Sequence, residues 1–131
     1  MIYADANVII RLIEGDIAAR APLEAKLLPL RGIGRFILTS QLSRLECRTK
    51  PLRAGDTPLL ALYDSFFAGI EVEVVALSTA VVDKATELRA LLNVKTPDAL
   101  HLATAVLSGA KSFLTGDKAL ARCKVIPIEV L

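Results

Sequence analysis

Four acidic side chains stand at positions where a carboxylate could do chemistry. Asp5 directly follows the first apolar run of the chain, and Asp117 lies just beyond a later one. Asp98 falls in the first turn of a predicted helix. Glu46 lies at the margin of a predicted apolar helix stripe, which aims it at the interior rather than at water. What these acids can do depends on whether the fold brings them together.

A convergent group of four carboxylates has few stable states. Two carboxylates about 4 Å apart repel each other by roughly 4 kcal/mol at an effective dielectric constant near 20. Such a group must take up protons or bind a hard cation. Oxygen ligands without His or Cys suit Mg²⁺ or Mn²⁺ better than Zn²⁺. A bound cation of this kind lowers the pKa of water and neutralises charge on a phosphoryl oxygen, which is the chemistry of phosphodiester hydrolysis.

Each acid also has an ordinary structural explanation. Asp98 could complement the helix dipole, and Asp5 and Asp117 could be turn or cap residues. Glu46 could turn outward to solvent. Successive acids are 41, 52 and 19 residues apart, so no local motif unites them, and only the fold could.

The elements that would position these acids follow an α/β pattern. Short apolar runs alternate with longer segments of helical periodicity, which indicates a parallel sheet flanked by helices. Residues that follow such strands gather at the carboxyl edge of the sheet, where ligands bind. Pro127 in the last run favours a sheet edge. The five predicted strands are Ile2–Ala4, Phe36–Leu38, Glu71–Leu77, Ser112–Leu114 and Val125–Val130.

Helix signals lie between the predicted strands. Asn7 is the predicted N-cap of a first helix that ends at Glu14. Ser40 is predicted to cap a helix that Pro51 kinks or ends, with an apolar stripe formed by Leu42, Leu45, Thr49 and Leu52. The other predicted helices are Ile17–Leu30, Thr57–Phe67, Ser78–Leu92, Thr96–Leu107 and a short one after Asp117, with Thr57 and Thr96 each a cap before a proline.

Composition excludes several classes of protein. The 131 residues fit one domain over 1–131, and 53% apolar with 23% charged residues exclude disorder. A net charge of +2 excludes a polybasic nucleic-acid binder. The longest stretch without a formal charge, Ala99–Ala110, is too short for a membrane span. The start carries no basic signal region. Cys47 and Cys123 fit neither a disulfide framework nor zinc spacing, so a reducing cytoplasm is expected.

Four segments of the chain together resemble a known family. They are Tyr3-Ala-Asp-Ala-Asn-Val-Ile-Ile, Ser43-Arg-Leu-Glu, Thr96-Pro-Asp-Ala-Leu-His-Leu-Ala-Thr-Ala and Leu114-Thr-Gly-Asp. In order and spacing they are similar to the PIN domain, and most of all to its bacterial toxin branch, the VapC-type ribonucleases. The resemblance covers nearly the whole chain, and its third segment is the most specific.

The resemblance implies a three-layer α/β fold, with a mostly parallel five-stranded sheet between helices. It implies that Asp5, Glu46, Asp98 and Asp117 form an acidic pocket for Mg²⁺ or Mn²⁺. By the same comparison Asn7 would bond a metal-bound water, and Thr115 matches the hydroxyl residue before the last acid. The sequence departs from the family at Gly116, where many members carry Asn; this removes no carboxylate. Homodimers and a cognate antitoxin that blocks the pocket are also implied.

Other residues that could take part in catalysis or binding lie in weaker sequence patterns. His101 lies three residues after Asp98 on the same helix face; it is a candidate general base, but a structural bond to Asp98 or to a backbone group is the favoured interpretation. Cys47 is interpreted as a buried apolar residue. Arg44 and Arg48 lie in a basic stretch around Glu46. That stretch is a solvated face, a phosphate contact for RNA or a contact for an acidic partner.

The leading hypothesis is a metal-dependent endoribonuclease that hydrolyses RNA phosphodiester bonds as the toxin of a type II toxin–antitoxin pair. A catalytically silent PIN-like binding module is the alternative. A phosphoacceptor receiver domain fits less well, because it needs an acidic pair after the first strand and Asp5 has no acidic neighbour. Its phosphoacceptor Asp is also missing, since Ser78 and Thr79 follow the central strand.

Overall fold

Five strands and six helices alternate along the chain. The structure is a computed structural model and describes all 131 residues. The strands are β1 (Ile2–Ala4), β2 (Ile37–Ser40), β3 (Val72–Val75), β4 (Ser112–Thr115) and β5 (Ile128–Val130). The helices are α1 (Ala6–Glu14), α2 (Ile17–Leu27), α3 (Gln41–Ala54), α4 (Thr57–Ala68), α5 (Thr79–Leu92) and α6 (Thr96–Leu107). Short 3₁₀ segments cover Leu28–Leu30 and Lys118–Arg122.

The five strands form one parallel sheet in the order β3-β2-β1-β4-β5. The first strand is central, with Tyr3 in register with Leu38 on one side and Phe113 on the other. Because all strands run the same way, the residues after β1 and β4 leave the sheet at the same edge. The predicted fold class is confirmed, and β5 is an edge strand as Pro127 indicated.

Helices cover both faces of the sheet, which makes three layers. Tyr3 and Phe113 belong to a core shared with buried residues of α5 and α6. Ala4 and Leu114, one residue further along the same strands, belong to the opposite core with α1, α2, α3 and α4. This alternation follows from the two-residue period of a strand. Both faces of β1 are therefore buried, and only its end can reach solvent.

Three helices have N-cap residues other than those predicted. Asp5, not Asn7, caps α1, because its Oδ1 accepts from the Val8 backbone N–H at 3.0 Å. Asp56 caps α4 in the same way through Leu59 N, so Thr57 lies inside the helix. Helix α6 begins after Lys95, which makes no side-chain cap, so Thr96 is likewise inside. At the first two sites an aspartate carboxylate is the cap in place of the predicted Asn7 amide and Thr57 hydroxyl.

The predicted apolar stripe of α3 was wrong. Leu45 and Leu52 are 61% and 67% exposed, whereas the buried face carries Ser43, Cys47 and Pro51. These small side chains let α3 lie close to α1, with Cys47 Sγ 3.8 Å from the Ala6 carbonyl oxygen. Pro51 neither ends nor interrupts the helix, which runs to Ala54 and stops at Gly55 in the left-handed conformation (φ 66°).

Other boundaries moved by a few residues. Helix α2 gives way at Leu28 to a 3₁₀ turn that contains Pro29. The third and fifth strands are shorter than predicted, and β5 begins directly after Pro127. No helix combines the length and the apolar content that crossing a membrane would require.

Leu102 tests the core between the sheet and α6. Its side chain is fully buried, so Leu102→Ala should lower the free energy of unfolding by about 2–5 kcal/mol through lost burial and a new cavity. Leu91→Ala, at a position 73% exposed on α5, should change it by less than about 0.5 kcal/mol. Urea unfolding of both variants measures the difference, and equal losses would contradict this packing.

Candidate active site

The four predicted acids lie where the carboxyl edge of the sheet meets the start of two helices. Asp5 follows β1 directly, and Asp117 comes two residues after the end of β4. Asp98 is the third residue of α6, and Glu46 is the sixth residue of α3. The parallel order of β1 and β4 brings the turns that carry Asp5 and Asp117 to one edge of the sheet.

Asp5 is the most deeply buried of the four, with only 6% of its surface exposed. Burial raises the pKa of its carboxyl, and the nearby Glu46 raises it further. Hydrogen bonds from Thr115 and from the Val8 backbone lower the pKa, as does the nearby His101. The carboxylate is therefore held firmly by donors in a place that disfavours its charge.

Asp98 is half-buried and lies within the electrostatic influence of other acids of the group. Burial is the first cause that raises the pKa of its carboxyl, followed by the charge of Asp117 and then that of Asp5. His101 and Lys95 lower the pKa without cancelling the rise. Asp98 thus interacts with two of the predicted acids, and Asp5 interacts with the remaining one. The four carboxylates form one electrostatic group with a surplus of negative charge.

Asp117 is positioned by a compact turn after β4. Its backbone N–H donates to Thr115 Oγ1 at 3.0 Å, and its Oδ1 accepts from the Ala119 N–H at 2.9 Å. Thr115 is fully buried. The hydroxyl thus supports the loop that carries the acid. Asn7, the other predicted supporting residue, is the exposed second residue of α1, beside Asp5.

Glu46 is tied to His101 instead of pointing freely into solvent. Its Oε1 lies 2.6 Å from His101 Nε2, and His101 Nδ1 lies 2.6 Å from the Tyr3 hydroxyl. The partner expected for His101 was Asp98 or a backbone group; the structure gives Glu46 and Tyr3. Tyr3 was missed because a tyrosine in an apolar strand has the pattern of a core residue, and the only signal was its place two residues before Asp5.

The basic residues predicted as weak RNA or partner contacts lie elsewhere on α3. Arg44 Nη1 donates to Gln41 Oε1 at 3.0 Å. Arg48 Nε is 2.8 Å from Asp64 Oδ1 in an ion pair whose geometry is not that of a hydrogen bond. Two residues along a helix correspond to about 200° around its axis, so Arg48 faces α4 while Glu46 faces α6. Both arginines line a depression of about 370 Å³ between α3 and α4.

Cys47 follows Glu46 in sequence but is not a nucleophile candidate. It is 2% exposed, and burial together with the nearby acids raises the pKa of its thiol to about 12. The thiol therefore stays protonated near neutral pH. Both cysteines of the chain are buried and free.

The carboxylates fit a hard divalent cation by chemistry, although their side chains are not arranged as a ready cage. No three His, Cys, Asp or Glu side chains are placed so that they could hold a metal ion together. One oxygen of Asp5, Glu46 and Asp117 is already engaged by a protein donor. The remaining lone pairs of these oxygens and the surplus charge suit Mg²⁺ or Mn²⁺. Direct binding by the whole group requires side chains to reorient.

The family of the chain is decided by its sequence. The family model for the PIN domain matches residues 2–125. The chain belongs to the PIN domain family. This confirms the resemblance drawn from the four segments. No curated protein sequence matches this PIN domain.

Solved structures share the fold of this PIN domain. It is similar to VapBC2 from Rickettsia felis bound to a promoter DNA fragment, with 18% identity, a TM-score of 0.78, and coverage of 99% of this chain and 98% of that one. DNA-bound VapBC from Salmonella typhimurium gives 18% identity, a TM-score of 0.76, and coverage of 98% and 96%. VapC20 from Mycobacterium tuberculosis, a sarcin-ricin loop cleaving toxin, has 17% identity and a TM-score of 0.69. The match covers 93% of this chain and 95% of that one.

The raised pKa of Asp98 predicts that its charge destabilises the ligand-free fold. Its folded-state pKa lies above the ordinary value of 3.8, so between these two values the folded protein binds more protons than the unfolded chain. The free energy of unfolding should fall as pH rises through that window, and Asp98→Asn should remove the loss. At pH 7 in EDTA we expect this variant to melt roughly 2–5 °C above wild type, despite losing a helix-dipole contact of about 0.5 kcal/mol.

Two controls sharpen this measurement by thermal unfolding. Asp83→Asn removes an exposed carboxylate from α5 and should leave the melting temperature close to that of wild type. At pH 3 the advantage of Asp98→Asn should shrink, because Asp98 is then protonated in both states. A variant that melts below wild type at pH 7 would contradict a destabilising charge at this position.

Proposed function

We propose that this PIN domain is a metal-dependent endoribonuclease that hydrolyses RNA phosphodiester bonds, and that it is the toxin of a type II toxin–antitoxin pair. The observation that carries the proposal is the electrostatic group of four carboxylates at the carboxyl edge of the sheet. Two of its members, Asp5 and Asp98, have pKa values raised by burial and by neighbouring acids. Such a group is compensated most directly by a divalent cation.

The cation would be Mg²⁺ or Mn²⁺, held by Asp5, Glu46, Asp98 and Asp117. When bound, such an ion activates water for attack on phosphorus and stabilises charge on the phosphoryl oxygens. The protein already positions two of the four carboxylates, because Asp5 is fixed by the Val8 N–H and Asp117 by the Ala119 N–H. A carboxylate has about four lone-pair sites, so each of these acids can accept a hydrogen bond and still bind the ion.

Other residues of the chain would act on the substrate side. Asn7 is exposed beside Asp5, where its amide can bond a water or a phosphate oxygen. Thr115 supports the loop that carries Asp117. Of the two arginines proposed as RNA or partner contacts, Arg44 is the better candidate, because Arg48 already pairs with Asp64.

RNA is the proposed substrate because of the PIN family and the similarity to VapC20, which is a sarcin-ricin loop cleaving toxin. The net charge of +2 makes affinity for RNA modest and sensitive to salt. A homodimer would join two basic faces. The similar VapBC structures support a cognate antitoxin as partner, and cytoplasmic RNA and two free cysteines support action in the cytoplasm.

A catalytically silent binding module is the second candidate. One observation favours it, namely that no three acids are already placed to hold an ion. The two candidates differ in a measurable way, because a functional site that binds only to the folded state raises its melting temperature. A shift with millimolar Mn²⁺ that Asp98→Asn abolishes supports the nuclease, and no shift in wild type supports the binding module.

Cleavage of total RNA by the purified protein, free of antitoxin, tests the proposed reaction. With Mg²⁺ or Mn²⁺ we expect discrete fragments that EDTA abolishes. Asp98→Asn should reduce the initial rate by at least about 100-fold, because loss of a direct ligand should cost more than loss of an outer-sphere partner. The matched variant Asp83→Asn should cleave as wild type does.

The result that would overturn the assignment is equally direct. If Asp5→Asn and Asp98→Asn both leave metal-dependent cleavage intact, the carboxylates do not form the active site. If folded wild type gives the same background as EDTA lanes, the binding module is favoured.

A further inference from the structure

We propose that Tyr3 and His101 are positioning residues that hold the Glu46 carboxylate toward Asp5 and so preorganise the acidic site for its cation. The proposal rests on the proposed function, since it concerns the same four carboxylates. It assigns a role to two buried polar residues that the hydrolytic chemistry itself does not use.

The two residues form a continuous hydrogen-bonded chain across three elements. The Tyr3 hydroxyl on β1 lies 2.6 Å from Nδ1 of His101 on α6, and His101 Nε2 lies 2.6 Å from Glu46 Oε1 on α3. Tyr3 is fully buried and His101 is 5% exposed. The chain thus runs from the centre of the sheet to a side chain that is 33% exposed at the site.

Packing fixes the inner end of this chain. The Tyr3 ring stacks on Phe113 of the neighbouring strand, with centroids 4.9 Å apart and planes within 12°. The imidazole of His101 meets the Tyr3 ring nearly edge-on, at 5.9 Å and 65°. Because both rings are held by packing as well as by hydrogen bonds, the atom they present to Glu46 has little freedom.

The direction of the hydrogen bonds follows from what each group can donate. An ionised carboxylate only accepts, so His101 Nε2 must carry the proton that lies between it and Glu46. In the neutral imidazole Nδ1 then accepts, and the Tyr3 hydroxyl donates to it.

This arrangement does for Glu46 what backbone caps do for two of the other acids. Asp5 and Asp117 are short side chains fixed by N–H groups of their own turns. Glu46 is longer and lies in the middle of α3, where every backbone N–H is used by the helix. A side chain from another element must therefore hold it, and Glu46 lies close enough to Asp5 to raise the pKa of that carboxyl.

The inference is tested by NMR and by Mn²⁺ affinity. The chain has a single histidine, so long-range ¹H–¹⁵N spectra of the imidazole report His101 alone. We expect the proton on Nε2 in wild type, and a changed Nδ1 signal in Tyr3→Phe. Tyr63→Phe is the matched control, because Tyr63 is also fully buried but its hydroxyl donates to Glu14.

Mn²⁺ binding, measured by the electron paramagnetic resonance signal of the free ion, separates positioning from mere stability. We expect His101→Gln to weaken affinity about 10–100-fold and Tyr3→Phe about 10-fold, with Tyr63→Phe unchanged. In a Glu46→Gln background, His101→Gln should weaken affinity by less than about 2-fold, because the coupled partner is already lost. A structural role alone would lower the melting temperature and leave this coupling absent.

The outcomes distinguish this inference from the proposed function. If wild type binds Mn²⁺ and Tyr3→Phe and His101→Gln bind it equally well, the positioning role is overturned and the nuclease proposal stands. An imidazole without a proton on Nε2 in wild type would also overturn the positioning role. If folded wild type binds no Mn²⁺, the metal site and the positioning role both fail.

Discussion

Repulsion between carboxylates gathered at one edge of a parallel sheet is the constraint on which the rest of this structure depends. The central position of β1, between β2 and β4, makes that gathering unavoidable, because Asp5 and Asp117 leave adjacent strands in the same direction. Two other helices supply the remaining acids: Asp98 on α6 lies near Asp5 and Asp117, and Glu46 on α3 lies near Asp5. The fold therefore places carboxylates in surroundings that disfavour their charge, and this raises the pKa values of Asp5 and Asp98.

The protein holds these charges in place with its own hydrogen bonds. Asp5 caps α1 and Asp117 caps the 3₁₀ segment that follows β4, so each carboxylate has a structural task as well as a proposed chemical one. His101 extends the same principle to Glu46 across the interface of α3 and α6. The positions of these side chains thus depend on the termini and contacts of ordinary helices and strands and on one short turn after β4.

The sequence predicted the fold class and the five strands, because strand periodicity is a local signal; the four acids that it singled out stay a predicted site. It mispredicted the buried face of α3, since Leu45 and Leu52 dominate any hydrophobic pattern although small residues make the contact with α1. It could not predict the partners of His101, which are 98 and 55 residues away in the chain. Such contacts depend on how helices and strands pack against each other, which the residues of one helix or strand do not reveal.

The most direct test of a shared cation site is a crystal structure of the wild-type protein grown with Mn²⁺, with anomalous diffraction used to locate the ion. We expect an anomalous peak about 2.1 Å from carboxylate oxygens of at least two of the four acids, with Asp5 among them. A peak elsewhere on the molecule, or none at millimolar Mn²⁺ in well-ordered crystals, would contradict the central claim that these carboxylates form one metal site.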